Sequence, residues 1–242
     1  MANDANTAPT ASTAPKLCAT LHRMIDKFVH SMTDAMAGIA DGSTVLLGGF
    51  GDVGIPTPLL NGLIEQGARD LTIVVVAGGR DGSAIERLLS LGRVRKIICS
   101  FVRPASLAGR LLQRGELEVE IVPQGTMAER MRAAGAGITG FYTPTGADTL
   151  LAEGRETREI GGKLCLLEYP LHGDVALIEA WCADRWGNLT YRDSARNFNP
   201  VMAMAATLTI AMTRNVAALG ELTPETIVTP GVFVNRMLHV PD

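Results

Sequence analysis

A regular alternation of short apolar runs and amphipathic stretches between residues 44 and 134 is the feature that most constrains this chain. Strand-like runs are predicted at residues 44–47, 71–76, 94–101 and 117–122. Helical periodicity follows each run, over residues 56–66, 82–91, 106–114 and 126–134. Each helix must carry the chain back to the same end of the sheet, so four such units give parallel strands. The pattern predicts an α/β fold with a mostly parallel sheet covered by helices on both faces.

The remaining segments complete this three-layer architecture. An amphipathic helix is predicted over residues 17–39, ahead of the first strand. Further strands are predicted at residues 163–169, 174–183, 188–192, 207–212 and 232–237, with a helix over residues 200–206. No Ser/Gly/Pro-rich linker or internal repeat divides the chain. We therefore expect a flexible tail over residues 1–20 and a single domain over residues 21–242.

Composition narrows the class of protein. Of the 242 residues, 47% are hydrophobic and 19% are charged, which supports a large core and excludes a disordered chain. The net charge of -3 provides no basic surface for nucleic acid. The longest apolar run, residues 201–212, is well short of the ~20 residues of a membrane helix, and residues 1–16 lack the apolar core of a signal peptide. We expect a soluble, cytoplasmic protein without a nucleic-acid or membrane partner.

Cysteine and histidine are too scattered to indicate a metal centre. The four cysteines and four histidines form no Cys-x-x-Cys pair and no Cys/His cluster. Neither a disulfide framework nor a zinc site is predicted from such spacing.

A glycine-rich loop joins the first predicted strand to the helix that begins near Pro56. The loop comprises residues 48–54, Gly-Gly-Phe-Gly-Asp-Val-Gly. A glycine-rich turn of this kind leaves backbone N–H groups free beside the positive end of a helix dipole. It suits a phosphate, a carboxylate or a developing oxyanion. We interpret the glycines as positions where a Cβ would hold the ligand off the backbone.

Two alternatives for the glycine loop remain. Gly49-x-Gly51-x-x-Gly54 also fits the dinucleotide-binding fingerprint, which requires an acidic residue at the end of the second strand. That strand is followed by no acid before Asp81, which argues against a dinucleotide. The other alternative is a turn that only packs a helix on the sheet.

Residues 41–56 resemble the signature of family I coenzyme A transferases, in which an aliphatic run leads into Gly-Gly-Phe and then a Gly and a Pro at fixed spacing. Further stretches similar to this family lie at residues 118–129, 141–146, 187–192, 194–199 and 227–231. The resemblance covers nearly the whole chain after about residue 25. It is strongest to the A (alpha) subunit of these enzymes.

The resemblance implies that this chain is one of two kinds of subunit that together form an enzyme. In the family, CoA moves from succinyl-CoA to a 3-oxo acid by a ping-pong route, here with 3-oxoadipate favoured and acetoacetate or a short-chain acid as the alternative. The nucleophilic glutamate belongs to a Ser-Glu-Asn-Gly motif of a separate B (beta) subunit, and this sequence has no such motif. A CoA thioester is therefore expected as substrate, with no tightly bound cofactor and no metal.

The resemblance also implies site residues. Seven residues of the glycine loop are expected to line the CoA site: Gly48, Gly49, Phe50, Gly51, Asp52, Val53 and Gly54. Gln124 matches a glutamine that helps to form the family's oxyanion hole, a role suited to an amide N–H donor. The alternative for Gln124 is a strand-end side chain that bonds a neighbouring loop. The polar residues Arg196, Asn197 and Asn199 are interpreted as caps of the helix predicted from residue 200, with a role in the subunit contact as the alternative.

One departure from the family leaves the acceptor acid open. Val75-Val76-Ala77 stands where relatives usually have Ser-Asn-Asn. Arg80 or Arg103 is a candidate for holding the distal carboxylate of a dicarboxylic acceptor, with a solvated loop arginine as the alternative. A non-catalytic sugar-phosphate sensor, or a sugar-phosphate isomerase of similar topology, is the hypothesis from a different class.

Overall fold

The structure is a computed structural model and describes residues 25–79 and 82–241, so the predicted tail, the first residues of the helix over 17–39, and Arg80 lie outside it. The described strands are β1 (Thr44–Leu47), β2 (Leu71–Val74), β3 (Val94–Cys99), β4 (Glu118–Ile121), β5 (Phe141–Thr143), β6 (Thr157–Ile160), β7 (Lys163–Glu168), β8 (Gly173–Asp184), β9 (Leu189–Thr190), β10 (Ala206–Ala217) and β11 (Arg236–His239). The described helices are α1 (Met32–Met36), α2 (Thr57–Gln66), α3 (Ala84–Ser90), α4 (Leu107–Gln113), α5 (Gln124–Ala136) and α6 (Asn199–Ala205).

Seven strands form the main sheet in the order β11-β10-β8-β1-β2-β3-β4, and each neighbouring pair is parallel. The short strand β9 pairs antiparallel with β8. The predicted mostly parallel sheet is therefore confirmed. The chain lays down β1 to β4 in one direction and later returns to place β8 on the other side of β1. In open parallel sheets such a reversal leaves a crevice at the carboxyl ends of the strands.

Alternate side chains of the strands enter two separate cores. Val45 and Leu47 pack with helices α1 to α4 on one face of the sheet, whereas Leu46 between them packs with α5 and α6 on the other. Because both faces are covered, the central strands are apolar at nearly every position; in β2, all four residues are buried and three of them are apolar. The predicted covering of both faces is confirmed.

Local signals determine where several helices begin and end. Ser83 and Ser106 cap α3 and α4, each accepting a backbone N–H bond with its hydroxyl. Gly67 ends α2 in the left-handed conformation, at φ 101°. These three helices accordingly agree with the predicted ranges to within two residues.

The helix predicted over residues 17–39 is wrong for the described residues before Met32. There the chain runs extended along β11, and Val29 N donates to Met237 O at 2.9 Å. Phe28 and Val29 pack into opposite cores, as adjacent residues of a strand do. The edge of the sheet offers this segment unpaired backbone groups and a place to bury its apolar side chains. These tertiary interactions outweigh the segment's intrinsic preference for a helix.

A second, smaller sheet was not predicted as such. It is antiparallel, in the order β5-β7-β6, and all four residues of β6 are exposed. Such a strand has no apolar alternation that would reveal it in the sequence. The strand predicted at residues 232–237 is also wrong in its bounds, since Gly231–Phe233 forms a 3₁₀ turn before β11.

Across the described ranges, no helix has both the length and the apolar character needed to cross a membrane. The assignment of residues 21–242 to one domain stays a prediction.

Candidate active site

A cleft of about 870 Å³ lies at the carboxyl ends of the central strands. The glycine loop after β1 forms one wall, and residues 75–79 after β2 and 101–103 after β3 form the neighbouring wall. The far side is built from residues of β8 and β10 and from the segment that follows β9. This is the position where the topology of the sheet leaves an opening, so the fold itself locates the site.

The glycine loop makes a tight hairpin at its tip. Phe50 N donates to Val53 O at 3.0 Å and Val53 N donates to Phe50 O at 3.1 Å. Gly51 turns the chain between them at φ 61°. Gly48 N donates to Leu177 O of β8 at 2.9 Å. The amides of Gly48, Phe50 and Val53 are thus bonded within the protein and cannot serve a ligand in this conformation.

The glycines are required for reasons that differ from the sequence interpretation. A Cβ at Gly48 would overlap the side chain of Asn199. A Cβ at Gly49 would lie 2.5 Å from Ile55 Cγ1, and one at Gly54 would lie 2.5 Å from Ala195 O. Of the four glycines in the loop, only Gly51 has open space at the position where a Cβ would stand. Packing against the protein, rather than the approach of a ligand, therefore excludes side chains at positions 48, 49 and 54.

Asn199 holds the loop in place. Its side chain is fully buried, and its Nδ2 donates to Gly54 O at 3.1 Å and to Ala195 O at 2.9 Å. Its Oδ1 accepts from Glu179 N of β8 at 3.1 Å. The interpretation of Asn199 as a helix cap is wrong, because its amide bonds three other segments that meet only in the folded chain.

Asn197 adds a second bond of the same kind. Its Nδ2 donates to Val53 O at 3.1 Å, and its backbone has a positive φ of 22°. Its Oδ1 accepts from Phe198 N, just before α6, but no side chain caps the helix itself, so the predicted capping role is wrong for Asn197 as well. Two asparagines thus fix the carbonyls of Val53 and Gly54 and determine the path of the loop.

The charged residues of the cleft are mostly paired. Glu179 Oε1 accepts from Arg214 Nε at 3.1 Å, across β8 and β10. The Arg192 guanidinium lies over the Trp181 ring at 4.8 Å and is 3.4 Å from Asp193 Oδ2. The sequence analysis missed Glu179, Trp181 and Arg214, because on the long strands β8 and β10 they look like ordinary outward positions. It also assigned no role to Arg192 and Asp193, which lie in the segment after β9. The Arg103 side chain is exposed in the wall formed after β3.

Helix α2 adds a polar terminus to the glycine-loop wall. Thr57 and Pro58, at its first turn, line the cleft directly after the loop. The helix is ten residues long, so its N-terminus carries a partial positive charge, although Thr57 N donates to Ile55 O and Pro58 has no N–H. This helix end therefore favours an anionic or carbonyl oxygen by its charge.

Gln124 lies apart from this wall in the isolated chain. It is the first residue of α5, after β4 at the edge of the sheet, and it is exposed. The lining of the described cleft does not include it. Its role in an oxyanion hole stays a prediction.

Two of the described cysteines, Cys99 and Cys182, are poorly suited to act as nucleophiles. Burial raises the pKa of the fully buried Cys99 thiol to about 11, and burial also raises the pKa of Cys182. A thiol is reactive as the thiolate, so both side chains are inert at neutral pH. Within residues 25–79 and 82–241, no group of three His, Cys, Asp or Glu side chains is arranged to hold a metal ion.

Comparison with known proteins identifies the class. The family model for coenzyme A transferase matches residues 29–239. The chain is 53% identical over 219 residues to the A subunit of 3-oxoadipate CoA-transferase from Pseudomonas putida, covering 90% of this chain and 95% of that protein. It is 46% identical to the A subunit of a probable succinyl-CoA:3-ketoacid coenzyme A transferase from Bacillus subtilis (strain 168), over 88% of this chain and 89% of the relative.

A solved structure agrees with the fold. An acyl-CoA transferase from E. coli O157:H7, in its thioester complex with CoA, matches with a TM-score of 0.79 at 22% identity. The match covers 90% of this chain and 48% of that chain, so our chain spans about half the length of that enzyme.

A parallel sheet with a glycine-lined cleft at its switch point, and a family match over most of its length, define this protein as a transferase. The chain belongs to the coenzyme A transferase family. Its role is CoA transfer, and it is of the A-subunit type. Family membership also argues against a dinucleotide at the glycine loop.

Proposed function

We propose that this chain is the A subunit of an enzyme that transfers CoA from succinyl-CoA to a 3-oxo acid, with 3-oxoadipate as the favoured acceptor. The observation that carries the proposal is the 53% identity to a relative named for 3-oxoadipate, over 95% of its length. The cleft supports it, because about 870 Å³ accommodates an acyl group with the reactive end of a CoA thioester.

The reaction needs a carboxylate nucleophile that the partner would supply. A glutamate carboxylate attacks the succinyl-CoA carbonyl and displaces the CoA thiolate, which leaves a succinyl-glutamyl anhydride. The thiolate then attacks the glutamyl carbonyl, releases succinate and forms an enzyme-CoA thioester. The acceptor carboxylate repeats these two steps in reverse, which produces its CoA thioester and restores the glutamate.

The partner is proposed to be a B subunit that carries this glutamate in a Ser-Glu-Asn-Gly motif. The present chain has no such motif. Its relatives of similar length are named as A subunits, which supports a division of the active site between two chains. We further propose that the complex works in the cytoplasm and holds CoA only as substrate, with no tightly bound cofactor.

In this complex the chain's own groups would bind and orient. The glycine loop, Gly48 to Gly54, is proposed to lie beside the thioester and pantetheine, where the amides not already bonded within the protein can donate to an oxygen. The nearby end of α2 adds its partial positive charge. Gln124 is proposed to donate to the tetrahedral oxyanion when the partner closes the site.

The test uses the complex of both chains. The gene for the partner with the Ser-Glu-Asn-Gly motif is coexpressed with this chain, and the purified complex receives succinyl-CoA and either 3-oxoadipate or acetoacetate. We expect 3-oxoadipate to be the better acceptor, measured as kcat/KM by chromatography of the CoA esters. A complex that prefers acetoacetate would support the 3-ketoacid alternative suggested by the Bacillus subtilis relative. A folded complex without transfer to either acid would contradict the proposal.

A further inference from the structure

The loop that follows β3 is held firmly against its surroundings. Gly78 N donates to Phe101 O at 2.9 Å, which ties the loop to the wall formed after β2. The carbonyl of Arg103 accepts two bonds from Ser106, from its N–H at 3.0 Å and from its hydroxyl at 2.7 Å. A Cβ at Gly109 of α4 would overlap this same carbonyl, so helix and loop are in close contact. The backbone of Arg103 is therefore fixed at the cleft before any ligand arrives.

Arg103 differs from the other arginines of the cleft wall in its charge balance. Arg214 is paired with Glu179, and Arg192 is paired with Asp193 and stacked on Trp181. The Arg103 guanidinium makes no ion pair, hydrogen bond or ring contact with the part of the chain that the structure describes. Its side chain is exposed in the cleft. It is a positive charge on a rigid support, without a counter-ion among the described side chains.

The wall next to Arg103 has little else for an anion. Residues 75–79, which adjoin this loop, are valine, alanine and glycine and contribute no polar side chain. Among the residues that the structure describes in this part of the cleft, a carboxylate meets apolar surface and the Arg103 guanidinium. Guanidinium binds carboxylate through two parallel N–H···O bonds, so this arrangement is selective for a carboxylate at the end of an apolar chain.

We propose that Arg103 binds the distal carboxylate of a dicarboxylic acyl group and thereby selects dicarboxylic over monocarboxylic acids. The inference rests on the proposed function, and it adds the residue that determines the class of acid. Succinyl and 3-oxoadipyl groups both carry a distal carboxylate, so the same guanidinium serves the donor and the acceptor in turn. A monocarboxylic 3-oxo acid leaves Arg103 in contact with water alone and gains nothing from it.

The experiment isolates the second half of the reaction. The A–B complex is converted to its enzyme-CoA thioester with succinyl-CoA, and the acceptor is then varied. The matched acceptors are 3-oxoadipate and 3-oxohexanoate, which has the same six-carbon chain with a methyl group in place of the distal carboxylate. Arg103→Gln removes the charge at similar size, and Arg103→Lys keeps the charge without the fork. Arg114→Gln is the control, because Arg114 is exposed at the end of α4, outside the cleft lining.

We expect Arg103→Gln to lower kcat/KM for 3-oxoadipate by roughly 10- to 100-fold, the range of a charge-assisted hydrogen bond, and to change the value for 3-oxohexanoate by less than about 3-fold. Arg103→Lys should recover part of the loss, and Arg114→Gln should change neither value. Equal losses of kcat/KM on both acceptors would overturn the proposal. A weaker affinity for free CoA with an unchanged acceptor preference would also overturn it, because that result would assign Arg103 to the CoA phosphates.

A binding measurement separates this proposal from the proposed function. Titration calorimetry of adipate and hexanoate into the complex needs no turnover. Weaker adipate binding in Arg103→Gln, with hexanoate unaffected, supports the anchor even if the complex transfers CoA to neither acceptor. Adipate binding that is unchanged in Arg103→Gln overturns the anchor even if the transfer reaction proceeds.

Discussion

At the scale of single residues, Gly48 and Asn199 show how a side chain far along the sequence determines the composition of a loop. Asn199 occupies the space beside Gly48 and bonds Gly54 O, Ala195 O and Glu179 N. Gly51, by contrast, has open space around it and needs glycine only for its φ of 61°. The same residue type in one loop is therefore under two different constraints.

These constraints predict opposite behaviour for two variants. Gly48→Ala should lower the free energy of unfolding by about 3 kcal/mol, because the new methyl displaces the buried, hydrogen-bonded side-chain amide of Asn199. Gly51→Ala should lower it by only about 1 kcal/mol, the cost of a left-handed alanine. Denaturant unfolding of both variants measures the difference, and similar losses would contradict the contact assigned to Asn199. A rise in KM for succinyl-CoA in the well-folded Gly51→Ala complex would support ligand contact at the tip.

Gln124 permits a prediction about chemistry rather than stability. An exposed residue at the start of α5 contributes little to folding, so Gln124→Ala should leave thermal unfolding of the complex nearly unchanged. If its amide donates to an oxyanion that forms only as the partner's glutamate attacks, kcat should fall by ~10²-fold with KM nearly constant. The test is to measure steady-state kinetics and thermal unfolding on the same sample of the Gln124→Ala complex. A lower melting temperature with normal kcat would instead favour a structural role.

At the scale of elements, an ion-pair network joins the small sheet to the edge of the main sheet. Arg130 of α5 bonds Glu120 of β4 at 3.0 Å and lies 3.8 Å from Glu168 of β7. Arg155 Nη2 lies 2.8 Å from the same Glu168 carboxylate, which is almost completely buried. All four residues of β6 are exposed, so we expect the network to contribute to the attachment of the small sheet beside the buried apolar residues of β7.

Removal of one charge from this network should therefore be costly. We expect Glu168→Gln to reduce the free energy of unfolding by about 2 kcal/mol, less than the ~3–5 kcal/mol of a fully buried pair because Arg155 is partly solvated. Glu129→Gln breaks the exposed pair with Arg132 on the same helix and serves as control, with an expected change within about 0.5 kcal/mol. Chemical denaturation measures both. Equal effects of the two substitutions would show that the buried network does not hold the small sheet.

At the scale of the whole molecule, the chain completes its own hydrophobic core, whereas the proposed active site needs the B subunit. Helices cover both faces of the sheet from within this chain, so folding does not depend on a partner for burial of the strands. The rim of the cleft, however, exposes large apolar side chains at Phe50, Val53 and Phe101. Such a rim is expected where a second polypeptide closes the site.

The isolated chain should accordingly fold and yet be inactive. We expect a single cooperative thermal transition by circular dichroism, together with no measurable CoA transfer from succinyl-CoA to 3-oxoadipate. Addition of the B subunit should restore turnover and raise the melting temperature with increasing partner concentration, as binding to the folded state requires. Robust turnover by this chain alone would refute the assignment as half of an enzyme.

The sequence by itself determined the class of fold, the glycine loop and the family. These depend on local features, namely the alternation of strand and helix periods, the helix caps at Ser83 and Ser106, and a loop whose residues are consecutive. Only the tertiary structure decided why the loop needs glycine, which arginine of the cleft has no partner among the described residues, and that residues 27–29 join a sheet edge instead of a helix. Each of these depends on residues far apart in sequence, such as Asn199 beside Gly48 or Val29 beside Met237, and no local pattern records which distant groups the folded chain brings into contact.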